Sequence, residues 1–116
     1  FAAAVEKARR NHGAAFVAAE EYGLAAELAL HLPAGTPVVA LGDRWDLFDL
    51  PQPPAGAAGL LVRSERRGEG PPLWPGAVAD GGILRQRKGN EAEPYRLHNV
   101  RVAADDPPLA LLPARR

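Results

Sequence analysis

The order of apolar and polar positions divides the first half of the chain into alternating helices and strands. Residues 1–11 (FAAAVEKARRN) are helix formers with charge grouped at Glu6, Lys7, Arg9 and Arg10, and His12-Gly13 ends them with a glycine available for a left-handed cap. The run from Ala14 to Ala19 (AAFVAA) is short, continuous and apolar, as a strand buried on both faces would be. Residues 20–32 give the clearest helix. At about 100° per residue, Glu20, Glu27 and His31 share one narrow wedge, while Tyr22, Ala25, Ala26, Leu28, Ala29, Leu30 and Leu32 fill the rest. So wide an apolar arc predicts burial against a sheet and a neighbour. Glu20 and Glu21 are expected in its first turn, where they suit the macrodipole, and Pro33-Ala34-Gly35 stops it. Pro37–Leu41 (PVVAL) and Gly59–Arg63 (GLLVR) read as the second and third strands. Strand, helix, strand is a βαβ unit, whose crossover is right-handed almost without exception.

The second half is less regular. Residues 42–59 are rich in Pro and Gly and predict an irregular surface loop, and residues 64–72 an exposed turn. Residues 73–79 read as a short helical turn and 82–87 as a strand. Residues 95–102 (YRLHNVRV) alternate imperfectly, as an antiparallel edge strand would. The expected fold is therefore α/β: a small mixed sheet built on a βαβ unit, with an antiparallel C-terminal strand pair. One domain is expected over residues 1–102, with 103–116, carrying Pro107, Pro108 and Pro113, as a loosely held tail.

Composition narrows the function. Of the 116 residues 47% are apolar, but much of that is Ala and only 6% are aromatic, so the core is modest. The 14 basic and 14 acidic residues cancel, which argues against a nucleic-acid partner or a polybasic membrane anchor. Cysteine is absent, which removes disulfides, thiolate metal sites and cysteine nucleophiles together. No apolar run approaches the roughly 20 residues that cross a bilayer. The chain opens at Phe1 and contains no Met, and we read it as a fragment whose targeting information lies elsewhere. Charge is uneven: residues 19–50 hold six acids against one base, and residues 63–101 eight bases against five acids.

Several chemistries are disfavoured. The junction after the first strand is Ala18-Ala19-Glu20-Glu21-Tyr22, with no glycine for a pyrophosphate and two carboxylates that would repel one. His12, His31 and His98 each lack a second ligand at metal-binding spacing, so no metal and no cofactor are expected. Ser64, the sole serine, lies beside Glu65-Arg66-Arg67 outside any nucleophile motif.

Residues 42–50 (GDRWDLFDL) carry the most information. They follow the carboxyl end of a predicted parallel strand, where α/β sheets place ligand loops. Carboxylates beside aromatic faces suit a sugar: hydroxyls bridge to Asp43, Asp46 or Asp49, and a C–H face stacks on Trp45. The competing reading is structural, with Arg44 pairing an aspartate and Trp45 or Phe48 capping the core.

The run from Tyr22 to Leu50 resembles the C-terminal soluble region of bacterial membrane glycosyltransferases similar to dolichyl-phosphate-mannose protein mannosyltransferases and lipid A aminoarabinose transferases. Tyr22, Ala25, Glu27, Leu28, Ala29, Leu32, Pro33 and Gly35 stand nearly in that family's frame, followed by Arg44, Phe48 and Asp49. Residues 59–62 and 94–97 resemble its later strands. His31 stands where an aromatic is usual, Leu47 where Gln is common and Leu50 where Trp is common. The resemblance implies an extracytoplasmic domain of a polyprenyl-phosphate-sugar-dependent enzyme on the bacterial inner membrane. Such a domain is inactive alone and caps a membrane-embedded active site in its own chain. The acceptor would be a lipid, a glycan or a protein. Substrate contact is expected from Tyr22, Arg44, Trp45, Asp46 and Asp49. No catalytic residue is expected in the fragment, and it should be a monomer. The alternative is a free-standing α/β module that binds a ligand or a protein through the same loop.

Overall fold

In a computed structural model, the structure describes residues 1–41, 53–66, 70–87, 90–103 and 109–112. The elements run α1 (Ala2–Asn11), β1 (Phe16–Ala19), α2 (Tyr22–His31), β2 (Val38–Leu41), β3 (Ala58–Ser64), β4 (Val78–Arg87), β5 (Asn90–Arg101) and β6 (Leu109–Leu111). The fold is α/β with a mixed sheet, as the sequence predicts. Among the described residues the sheet has six strands in the order β4-β5-β3-β1-β2-β6. β1 is flanked on both sides by parallel partners, β2 and β3. The βαβ unit is β1-α2-β2, and β3 returns to the other side of β1. That reversal leaves the carboxyl ends of β1, β2 and β3 at one end of the sheet, the place where open α/β sheets take ligands.

Both helices pack on one face. Val5 of α1 and Leu24, Ala25, Leu28 and the following Leu32 of the α2 region meet Val17, Ala19, Val38, Ala40, Leu60, Val62, Tyr95 and Leu97. The alternate residues form the second core: Phe16, Ala18, Val39, Leu41, Leu61, Val100 and Leu109, with Trp74 packed among them. All four residues of β1 and of β2 are buried, so these strands have no solvent side and no alternation to display.

The departures from expectation are local. α2 starts at Tyr22 with Glu21 as its N-cap, so Glu20 and Glu21 precede the helix instead of filling its first turn. Its apolar arc is not wholly buried: Tyr22 is 49% and Leu30 55% exposed. Val78 and Ala79, expected to end a helical turn, belong to β4, which starts four residues before the expected strand; it is irregular there, its register slipping between Ala79 and Gly82. β5 is an inner strand, paired with β3 on one side and β4 on the other. It reads as an edge because Arg96, Asn99 and Arg101 interrupt its apolar positions. Within the expected loose tail, Leu109–Leu111 joins the sheet antiparallel to β2, and the Leu112 N–H donates to the Val38 carbonyl at 2.9 Å. Two leucines on either side of an alanine give this strand its buried contact, and the flanking prolines hide it from a composition-based reading.

Candidate functional site

Charged and polar side chains converge where β1 and β3 end side by side. Glu20 leaves the end of β1 and accepts from Arg63 Nε of β3 at 2.9 Å and from the Leu73 N–H at 2.6 Å. Arg63 also donates through Nη1 to the Gly70 carbonyl at 3.2 Å. The next residue, Ser64, donates through Oγ to Glu93 Oε2 at 3.0 Å, and both residues are buried. Ser64 Oγ in turn accepts from the Arg66 N–H, closing the turn after β3. On β5, Arg96 stands directly opposite Arg63 and is neutralised by Glu65 at 2.6 Å. Two like charges in a cross-strand pair repel, and here each has its own carboxylate. A cleft of about 330 Å³ opens between Arg63, Ser64, Glu65, Gly70 and Arg96.

His98 lies behind this cluster, buried between β3 and β4, with Nδ1 lacking a hydrogen-bond partner. Burial, and then the guanidiniums of Arg63 and Arg96, hold its imidazole below the ordinary histidine range. Ser64 pairs with Tyr95 across the ladder, whereas His98 has the opposite parity on β5 and faces the other side of the sheet. Ser64, Glu93 and His98 therefore make no hydrolytic triad.

The expected contact residues divide in two. Tyr22 is the first residue of α2, half-exposed at the carboxyl end of β1, beside Glu20 and Glu21. Arg44, Trp45, Asp46 and Asp49 lie outside the described residues; the segment that carries them leaves β2 at its carboxyl end, Leu41. Sequence reasoning missed the Glu20–Arg63 and Ser64–Glu93 pairs, which join residues 43 and 29 positions apart. No local signal marks them.

A larger groove, about 680 Å³, lies towards the other end of the sheet between α1 and the turn after α2, lined by Ala2, Glu6, Lys7, Arg10, His31 and Pro33 among others. Glu6 is buried there and accepts from Arg9 Nε at 2.5 Å and Thr36 Oγ1 at 3.0 Å, with Arg10 at 3.5 Å. The Arg9 hydrogen bond, helped by Thr36 and Arg10 against the cost of burial, holds its carboxyl below the usual glutamate range.

Among the described residues no three His, Asp or Glu side chains converge as metal ligands, and no helix is long and apolar enough to cross a membrane. Comparisons of the chain with models of known protein families, with curated proteins and with solved structures found no match.

Proposed function

We propose that this chain is the extracytoplasmic C-terminal domain of a bacterial membrane glycosyltransferase that takes its sugar from a polyprenyl phosphate. In this role the domain performs no transfer itself. It caps the active site formed by the membrane part of its own chain, and it meets the acceptor through Tyr22 and the segment from Arg44 to Asp49. One observation carries the reading. Tyr22 and the exit of β2 into residues 42–50 share one end of the parallel strands, while the charged groups built into that end are committed to internal pairs: Glu20 to Arg63, Glu93 to Ser64 and Glu65 to Arg96. Such an end is suited to holding a surface in place, and among the described residues these carboxylates and the Ser64 hydroxyl are taken up in internal hydrogen bonds. The pattern from Tyr22 to Gly35, which carries the family resemblance, is also the stretch that forms α2 and its stop.

The test is the sequence encoded upstream of Phe1. A multi-span hydrophobic region there, with glycosyl transfer by the full-length protein and none by this fragment, is the expected result. A native start at or near Phe1 sinks the reading and leaves a free-standing binding module.

A further inference from the structure

His12 follows the last residue of α1, and both nitrogens of its ring meet acceptors. Nδ1 lies 2.7 Å from the Ala8 carbonyl oxygen, and Nε2 lies 3.0 Å from Asp80 Oδ2 on β4. A neutral imidazole has one N–H and one lone pair, so it satisfies one of these acceptors and turns a lone pair towards the other. The imidazolium donates to both.

The acceptor on β4 is built into position. The register of β4 against β5 slips between Ala79 and Gly82, and Gly81 takes φ +96°, a conformation that favours glycine. Irregularities of this kind re-aim a side chain out of the regular ladder, and here Asp80 reaches both α1 and β5. Its Oδ2 also accepts from Asn99 Nδ2 of β5 at 2.8 Å. The carboxyl end of α1 adds the negative pole of the helix, which favours a cation at His12. The other charged groups of α1 are engaged elsewhere or exposed: Arg9 and Arg10 both reach Glu6, and Lys7 is exposed.

We propose that His12 is a proton-dependent latch between the helical layer and the outer strand of the sheet. As the imidazolium it ties the end of α1 to the first half of β4; when it loses the proton, one of its two contacts becomes lone pair against lone pair and the tie opens. Among the described residues β5 is the one strand paired with β4, so side-chain ties from the helices matter to this edge. The second half of β4 has a permanent tie, Arg85 to Glu27 of α2 at 2.5 Å, and the first half has the switchable one. The latch is the protonated ring held between the Ala8 carbonyl and the Asp80 carboxylate, and it opens when the ring gives up its proton.

Two measurements on the whole chain test this, at about pH 5.5 and about pH 8.5, on either side of the ordinary histidine range. Nitrogen NMR of the His12 ring is expected to show both nitrogens protonated at the acid end. Amide exchange near Asp80, corrected for the intrinsic effect of pH, is expected to be about threefold slower in the wild type than in His12→Gln at the acid end, the scale of a partly exposed ion pair. The two proteins should exchange alike at the alkaline end. Asp80→Asn should erase the same difference while leaving the ring itself in place. A neutral, single-tautomer ring at about pH 5.5 overturns the proposal, as does a wild-type to variant ratio that stays constant across the range.

Discussion

The ring of Phe16 on β1 lies over the bare Cα of Gly59, its register partner on β3, and the same ring stacks on Trp74 with centroids 5.8 Å apart. This contact joins the parallel core of the sheet to the segment that covers its second face. Trp74 is fixed in turn by an indole N–H that donates to the Arg101 carbonyl at 3.2 Å. The missing side chain at position 59 is therefore part of the packing, because an aromatic ring fills the space where a Cβ would project.

Gly59→Ala is expected to destabilise the domain although alanine suits a strand no worse than glycine. Its Cβ would run into three carbons of the Phe16 ring, and that ring is 2% exposed with Trp74 against it. Overpacking of this kind costs about 1–3 kcal/mol. A lowered denaturant midpoint at unchanged slope is the expected result. A midpoint equal to that of the wild type would mean the ring swings aside freely.

Glu6 is the carboxylate whose neutralisation should be felt most in the helical layer. Its folded-state titration is depressed, chiefly by the Arg9 hydrogen bond. A depressed carboxylate stabilises the fold above its unfolded value, and that contribution is lost as pH falls through the folded one. Glu6→Gln should then cost about 1.5–3 kcal/mol at neutral pH, the scale of a hydrogen bond to a charged group. The gap between variant and wild type should close on acidification below about pH 4, beneath the ordinary glutamate value. Thermal melts at several pH values would show this, and a gap independent of pH would count against it.

The parallel part of the fold was legible because its signals are local. The run Phe16–Ala19 announces a strand buried on both faces, Pro33 ends α2, and the spacing between strands dictates a crossover. β4 was legible only in its second half, since Ala79-Asp80-Gly81-Gly82 has neither alternation nor β-branched residues and is held in the sheet by its pairing with β5. The polar cluster was invisible for a different reason. Glu20 reads as a helix-start carboxylate, and its actual partner, Arg63, is brought to it by the return of β3 alongside β1. Tyr22 could be placed at the carboxyl end of a strand from sequence alone, because a helix that follows a strand must begin there.

His98 should give the domain a pH dependence opposite in sign to that of the His12 latch. Burial and the neighbouring Arg63 and Arg96 depress its titration in the folded state. The unfolded chain then binds a proton that the folded one resists, so this residue's contribution is intact above the ordinary value of 6.5 and is lost as pH falls towards the folded value. His98→Leu should flatten the fall in stability between about pH 7 and about pH 5. It should also remove the buried Nδ1 that has no partner. If the slope survives the substitution, another group is responsible for it.

The segment leaving β2 is expected to matter more to transfer by the full-length enzyme than to the stability of this domain. It starts where a parallel strand ends and gathers Asp43, Arg44, Trp45, Asp46 and Asp49 within a few residues of one another. Tyr22 opens at the same end of the sheet and is half-exposed. Two roles for Arg44 and Asp46 separate by magnitude. Changes to exposed charges alter stability by less than about 0.5 kcal/mol, whereas breaking a buried charged pair costs about 3–5 kcal/mol. Arg44→Ala and Asp46→Ala should therefore leave the fragment's denaturant midpoint nearly unchanged while lowering transfer in the full-length protein, and Tyr22→Ala should do the same. A large loss of fragment stability in the first two variants would make the segment a structural clasp. Unchanged transfer in all three would remove the acceptor from this end of the sheet.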